Sequence, residues 1–201
     1  MKDQELEVKF YVNNPGAIEG QLRELGAQLE QPRTHEINLR FDTPGGDLAR
    51  SFRVLRLRQD TAARLTFKGP AHDADGVRVR QELEFVVSDF AAARAFLQAL
   101  GYQVAMIYEK YRAVYDLEGT LITLDEMPYG NFVEVEGPDP ATIQSISRRL
   151  GLDWTAAVPA SYVMLFDLLQ VKLGLKFRDL IFENFKDVTI TPEQLEVRSA
   201  D

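Results

Sequence analysis

Eight stretches of this chain alternate, residue by residue, between charged and apolar side chains, and a β-strand turns a period of two into two faces. Residues 5–12 (ELEVKFYV) set Glu5, Glu7 and Lys9 against Leu6, Val8 and Phe10. Residues 53–59 set Arg56 and Arg58 against Leu55 and Leu57, and residues 64–69 set Arg64, Thr66 and Lys68 against Leu65 and Phe67. Residues 77–87 place Arg78, Arg80, Glu82 and Glu84 opposite Val79, Leu83 and Phe85. Residues 108–117 align Tyr108, Lys110 and Arg112. Residues 120–126 align Leu121, Thr123 and Asp125, and residues 131–137 align Phe132, Glu134 and Glu136. Residues 35–43 alternate more weakly and run into the turn DTPGGD.

Helical segments separate these strands. One opens near Pro15 and stops at Gly26, a second runs from a Ser88/Asp89 cap to Gly101, and a third from Asp139–Pro140 to Gly151. A fourth ends at Gly174, and a capping-box pair, Thr191 and Gln194, predicts a short fraying helix at the end. The order repeats. ELEVKF, a helix and LGAQ match ELEFVV, a helix and LGYQ, and the strands that follow, HEINLRFD and YEKYRAVYD, match as well. A partial third copy is EVEG, a helix and RLG. The reading is an α+β fold of two pseudo-symmetric halves closing into one sheet, with helices covering the apolar faces.

With the apolar faces covered, the charged faces point either to solvent or into a lumen. Eight antiparallel strands can close into a barrel wide enough for one small ligand. The acids Glu5, Glu7, Glu82, Glu84, Asp125, Glu134 and Glu136 include three E-x-E pairs, whereas the bases Lys9, Arg56, Arg58, Lys68, Lys110 and Arg112 sit mostly on other strands. Grouped carboxylates suit a hard cation such as Mg²⁺ or Mn²⁺. Grouped Arg and Lys suit phosphate, and both together suit phosphoryl-transfer chemistry. A solvated face with cross-strand ion pairs is the alternative, and in it the bases do no more than pair with the acids. Arg64, Arg78 and Arg80 share the parity but fall near strand ends, which suggests a rim position. His35 and His72 are given no catalytic role, Trp154 and Tyr162 are read as packing residues, and Tyr129 as a turn residue.

Composition removes several other chemistries. There is no cysteine among the 201 residues and there are only two histidines, which excludes thiolate chemistry and disfavours zinc or a Ser–His–Asp triad. A net charge of −8 disfavours nucleic acid as a partner. No apolar run reaches membrane-spanning length and the chain starts without an apolar leader, so a soluble, cytoplasmic protein is expected.

ELEVK resembles the E-x-E-x-K signature of the CYTH superfamily, the triphosphate tunnel metalloenzymes. VLRLR, TFKGP, ELEF, EKYR, ITLDEM and YGNFVEVEG follow in that family's order, and ASYVMLF resembles its Ser–Tyr segment on a C-terminal helix. The turn FDTPGGDLA leading into VLRLR is most similar to the class IV adenylyl cyclase branch. The likeness implies a closed eight-stranded tunnel over residues 1–174, with 175–201 an extension packed on the barrel or on a partner subunit. It implies Glu5, Glu7, Glu134 and Glu136 as ligands to Mg²⁺ or Mn²⁺, with Glu82 and Glu84 a third acidic pair. It implies Lys9, Arg56, Arg58, Lys68, Lys110 and Arg112 as triphosphate binders, with Lys9, Arg112 and Asp125 in the catalytic group. ATP, tripolyphosphate and thiamine triphosphate are the implied substrates, through cyclisation or hydrolysis. A polyphosphate-binding module without turnover and a homodimer are also compatible. Arg40 stands where many members carry Tyr, a local departure from the pattern.

Overall fold

The structure is a computed structural model and describes residues 4–201. Eight strands form one closed barrel: β1 (Gln4–Val12), β2 (Gln28–Asp42), β3 (Val54–Gln59), β4 (Ala63–Ala74), β5 (Val77–Val87), β6 (Gln103–Leu117), β7 (Thr120–Met127) and β8 (Gly130–Glu136). All pairings are antiparallel, in the order β1-β5-β4-β3-β2-β6-β7-β8 around the wall. The internal repeat is visible in that order. β1 to β4 correspond to β5 to β8, and the first strand of each half sits beside the last strand of a half at the closing seam. β2 and β6, the second strands, face each other across the other seam in the longest pairing.

Helices α1 (Pro15–Glu24) and α4 (Pro140–Arg149) cover the β1/β7/β8 side, where Ile18, Leu22, Ile143 and Ile146 join Val8, Phe10, Ile122 and Val135 in one core. The cap residues named from the sequence act as expected: the Asp89 and Asp139 carboxylates accept from the Ala92 and Thr142 amides. Helix α3 (Phe90–Ala99) covers β3 and β4 through Leu97, against Leu39, Phe41 and Leu57. The turn expected at DTPGGD also holds a four-residue helix, α2 (Asp47–Arg50), which follows the Asp42 carboxylate capping the Leu48 and Ala49 amides. The cover is incomplete, contrary to expectation. Leu83 and Phe85 on the outer face of β5 stay exposed because α3 leans toward β3.

One end of the barrel is plugged. Helix α5 (Tyr162–Leu173) is capped by the Ser161 hydroxyl and stopped by Gly174 in the left-handed region, and it buries Phe166 and Leu169 against Phe132, Met127 and Met106 from the barrel's inner wall. Residues 175–201 lie on the same end. Leu180 exchanges backbone hydrogen bonds with Ile107 and Glu109, both 2.9 Å, and the Ala200 amide donates to the Tyr11 carbonyl at 3.0 Å. Leu180 and Leu195 are fully buried, each contributing about 1.5–3 kcal/mol of apolar burial. The expected terminal helix does not form. Gln194 does accept from the Thr191 amide, but the segment continues as turns, because its end is held to β1. Tyr129 is a turn residue, as expected, and is also buried: it donates to the Tyr162 carbonyl, tying the β7–β8 turn to α5. Trp154 packs on Phe10, as expected of a core residue. No helix among the described residues is long and apolar enough to cross a membrane.

Candidate active site

Pairing register decides which side chains share the lumen, since residues directly opposite one another point to the same face. Glu7 faces Glu136 and Lys9 faces Glu134 across β1/β8. Lys68 faces Glu82 across β4/β5, and Arg112 faces Asp125 across β6/β7. The alternating charged faces therefore converge inside the barrel, lining a cavity of about 1560 Å³ that runs from the lumen out to Leu83 and Phe85. Of the residues singled out from the sequence, Glu5, Glu7, Lys9, Arg56, Arg58, Lys68, Glu82, Glu84, Lys110, Arg112, Glu134 and Glu136 line it. Asp125 lies behind them, fully buried.

The acids and bases, separated in sequence, meet across this space. The Lys68 ammonium donates to Glu5 at 2.8 Å and lies 2.9 Å from Glu82. Arg112 grips Asp125 with Nε at 2.6 Å from Oδ1 and also reaches Glu134 at 2.6 Å. Lys110 donates to Asp125 at 3.0 Å, Lys9 pairs with Glu134 at 3.2 Å, and Arg58 pairs with Glu84 at 2.9 Å. Arg56 is bound by Tyr108, Thr66 and Glu84.

This matching is uneven. Burial works to raise Glu134, yet Lys9, Arg112 and Lys110 hold it well below the ordinary carboxylate range. Glu36 and Glu84 are lowered in the same way, against burial, by Lys110 and Arg58 respectively among others. Glu5 and Glu7 shift the other way, raised first by burial, with Glu82 adding to Glu5 and Glu134 to Glu7. Glu136, which is water-accessible at the mouth, is pushed up to about 7 by burial among protein atoms and by Glu5, Glu7 and Glu82. The β1/β8 side thus carries more negative charge than its bases neutralise.

That surplus is the test of whether the residues fit a metal. An all-carboxylate donor set with uncompensated charge matches the chemistry of a hard divalent cation. Among the described residues no three acidic or histidine side chains already converge on one point, and Lys68 currently bridges Glu5 and Glu82. The donor chemistry fits such an ion, and Glu5, Glu7 and Glu136 are the carboxylates that could hold it. Glu84 is not brought to them, because it stands among Arg56, Arg58 and Arg64.

Several site residues escaped the sequence reading. Glu36 is buried on β2, with its carboxylate 3.7 Å from both Arg58 and Lys110. Only its parity with Arg40 on a weakly alternating strand signals it. Tyr162 does pack, edge-on to Phe132, but its hydroxyl also donates to Asp125 at 2.8 Å and its ring lies 4.2 Å under the Lys9 ammonium. Arg80, expected at the rim, is 7% exposed and lines the cavity, because the β4–β5 hairpin runs on past a bulge after Lys68. Arg64, paired with Asp60, does keep to the rim.

The arrangement can hold a small polyanion between a cation-seeking wall and a basic wall while α5 shuts one end. Comparison with known proteins bears on the fold and the family. The CYTH domain family matches residues 3–151. A Vibrio parahaemolyticus protein assigned provisionally as an adenylate cyclase superposes with a TM-score of 0.75 at 19% identity, covering 83% of this chain and 99% of that one. A Pyrococcus horikoshii protein superposes at 0.68 with 26% identity over 81% and 97% of the two chains. A Hippeastrum protein, described as an adenylyl cyclase candidate with a dominant triphosphatase activity, superposes at 0.62 with 22% identity over 81% and 95%. A search of curated proteins returns no match. The family model matches most of the chain, and the chain belongs to the CYTH domain family.

Proposed function

We propose that this chain is a divalent-metal-dependent enzyme acting on a triphosphate inside the tunnel, with class IV adenylyl cyclase chemistry: ATP to cyclic AMP and pyrophosphate. One observation carries the reading. A single cavity joins a carboxylate group with surplus charge, Glu5, Glu7 and Glu136, to a run of buried bases.

In this reading Glu5, Glu7 and Glu136, with Glu134 and Glu82 at their edge, hold Mg²⁺ or Mn²⁺. A bound ion supplies charge withdrawal from the phosphate oxygens. Lys9, Arg56, Arg58, Lys68, Lys110 and Arg112 neutralise the other oxygens and the leaving group. Asp125 orients Lys110 and Arg112, and Glu36 backs Lys110 and Arg58. Tyr162 and α5 keep water from that end. No protein nucleophile is required, since positioning and electrostatics suffice once an oxygen is aligned with phosphorus.

A second reading, hydrolysis of tripolyphosphate, a nucleoside triphosphate or thiamine triphosphate, is favoured by the activity described for the Hippeastrum protein. Incubation with ATP, with tripolyphosphate and with thiamine triphosphate, each with Mg²⁺ or Mn²⁺, separates the two. Cyclic AMP supports cyclisation, orthophosphate without it supports hydrolysis, and turnover of none of the three, with or without metal, contradicts both.

A further inference from the structure

The two halves of the barrel repeat, and one group of equivalent residues is covered in the first half and bare in the second. ELEVKF matches ELEFVV, which aligns Leu6 with Leu83 and Val8 with Phe85. The Leu-Gly that follows each helix aligns Leu25 with Leu100, and so Gln21 with Phe96. In the first half Val8 is a core residue, and Leu6 and Leu25 pack against the same core. Gln21 lies beside Gly151, just past the end of α4. In the second half Phe85 is 59%, Phe96 62% and Leu100 59% exposed, and Leu83 is exposed with them.

Helix α4 makes the difference. It lies over β8, β1 and β7, whose counterparts are β4, β5 and β3. β4 instead turns through Asp75 and Gly76 straight into β5, so among the described residues no helix takes the equivalent place. The bare side chains adjoin the core under α3. Phe85 stands opposite Leu65 and shares a face with Val87, and both of those pack against that core.

A helix with an apolar, closely approachable face fits the gap, and α3 carries such a face. Ala92, Phe96, Ala99 and Leu100 are all exposed, and the other three lie within about 60° of Phe96 around the axis. Arg94, the one charged residue of α3, points about 200° away from Phe96. A surface that holds both the gap and a helix to fill it is self-complementary, as a twofold interface requires. Its four large side chains expose roughly 500 Å² of apolar area, toward the upper end for a monomer. With the alanines and a polar rim it reaches the scale of a stable dimer, about 800 Å² per partner.

We propose that this face joins two copies of the chain, with α3 of each lying over β4 and β5 of the other, in the place that α4 fills over β8 and β1. Aromatic anchors and depleted charge at its centre suit such an interface. The inference is independent of what the tunnel binds.

The test is sedimentation velocity of the full chain at concentrations on the order of 1 to 100 µM. Wild type is compared with Phe96→Glu, with Phe85→Ser, and with Val171→Glu as a control at an exposed apolar position on α5. All three side chains are exposed, and circular dichroism checks that each variant is folded. The wild type is expected to dimerise. A twofold interface counts each substitution twice, so a loss of about tenfold per site becomes about 100-fold for Phe96→Glu. Phe85→Ser is expected to weaken the dimer as well, and Val171→Glu to leave it within about twofold of wild type. A wild type that stays monomeric throughout overturns the proposal. So does a dimer that survives both Phe96→Glu and Phe85→Ser, or one that Val171→Glu weakens as much as they do.

Discussion

The two walls of the tunnel use the same residue types to opposite effect. On the β6/β7 side, Glu134 and Asp125 are wrapped by Lys9, Lys110 and Arg112, and Glu134 stays ionised to well below its ordinary range. On the β1 and β8 edge, Glu5, Glu7 and Glu136 outnumber their partners and hold protons more tightly than a free carboxylate. An E-x-E pattern alone does not distinguish these cases, since Glu134 and Glu136 belong to the same pair. What separates them is which residue of β1 lies opposite: Lys9 faces Glu134, whereas Glu7 faces Glu136. The basic wall is matched by its own acids, whereas the acidic wall has more carboxylates than the bases, Lys68 and Arg78, that pair with them.

The largest break in the comparison comes from Asp125, the shared acceptor of Arg112, Lys110 and Tyr162. Asp125→Ala leaves buried cations unmatched and is expected to cost about 3–5 kcal/mol in urea unfolding. A loss below about 1 kcal/mol would show that the basic wall is not held by its acids. Next is Glu7→Gln, on the other wall. Metal-dependent turnover should fall on the order of 100-fold, while the unfolding midpoint without metal stays level or rises. A collapse of the fold would make Glu7 structural. Tyr162→Phe removes one donor to a buried carboxylate and should cost about 1–2 kcal/mol, read in the same unfolding assay.

The smallest effect is on pH dependence. The folded protein keeps a proton on Glu136 between the ordinary value of 4.5 and about 7, where the unfolded chain has lost it. Stability in the absence of metal therefore falls as pH rises through that window. Glu134, Glu36 and Glu84 have lowered values, so their contribution is present above the ordinary range and is lost as pH falls through it. Glu136→Gln should flatten the decline on the high-pH side by up to about 1 kcal/mol, given its access to water, and leave acid unfolding unchanged. Thermal unfolding from about pH 2 to pH 8 measures both limbs, and an unchanged high-pH limb would contradict the assignment.

The barrel and its lining were legible because alternation is local: each strand displays its own two faces. Parity alone puts Glu5, Glu7, Lys9 and Lys68 on the charged face of their strands and leaves open whether that face meets solvent or a lumen. Glu36 was missed because HEINLRFD alternates weakly, and its burial comes from Lys110 on β6 and Arg58 on β3. Arg80 was misplaced because the end of a strand is set by its neighbours, here the bulge that carries the hairpin past Lys68. The docking of Leu180, Leu195 and Ala200 depends on contacts far apart in sequence, such as Ala200 with Tyr11, which no local pattern encodes. The separation of charge between the two walls is likewise a product of register, visible only once Glu7 is seen opposite Glu136.

The central claim is that one wall of this tunnel binds a cation and the other does not. Calorimetric titration of Mn²⁺ into the wild type, Glu7→Gln and Glu84→Gln tests it directly. The account expects binding by the wild type, its loss in Glu7→Gln, and its retention in Glu84→Gln, whose carboxylate already belongs to Arg58 and Arg56. Binding by Glu7→Gln equal to that of the wild type, or equal loss in both variants, would contradict it.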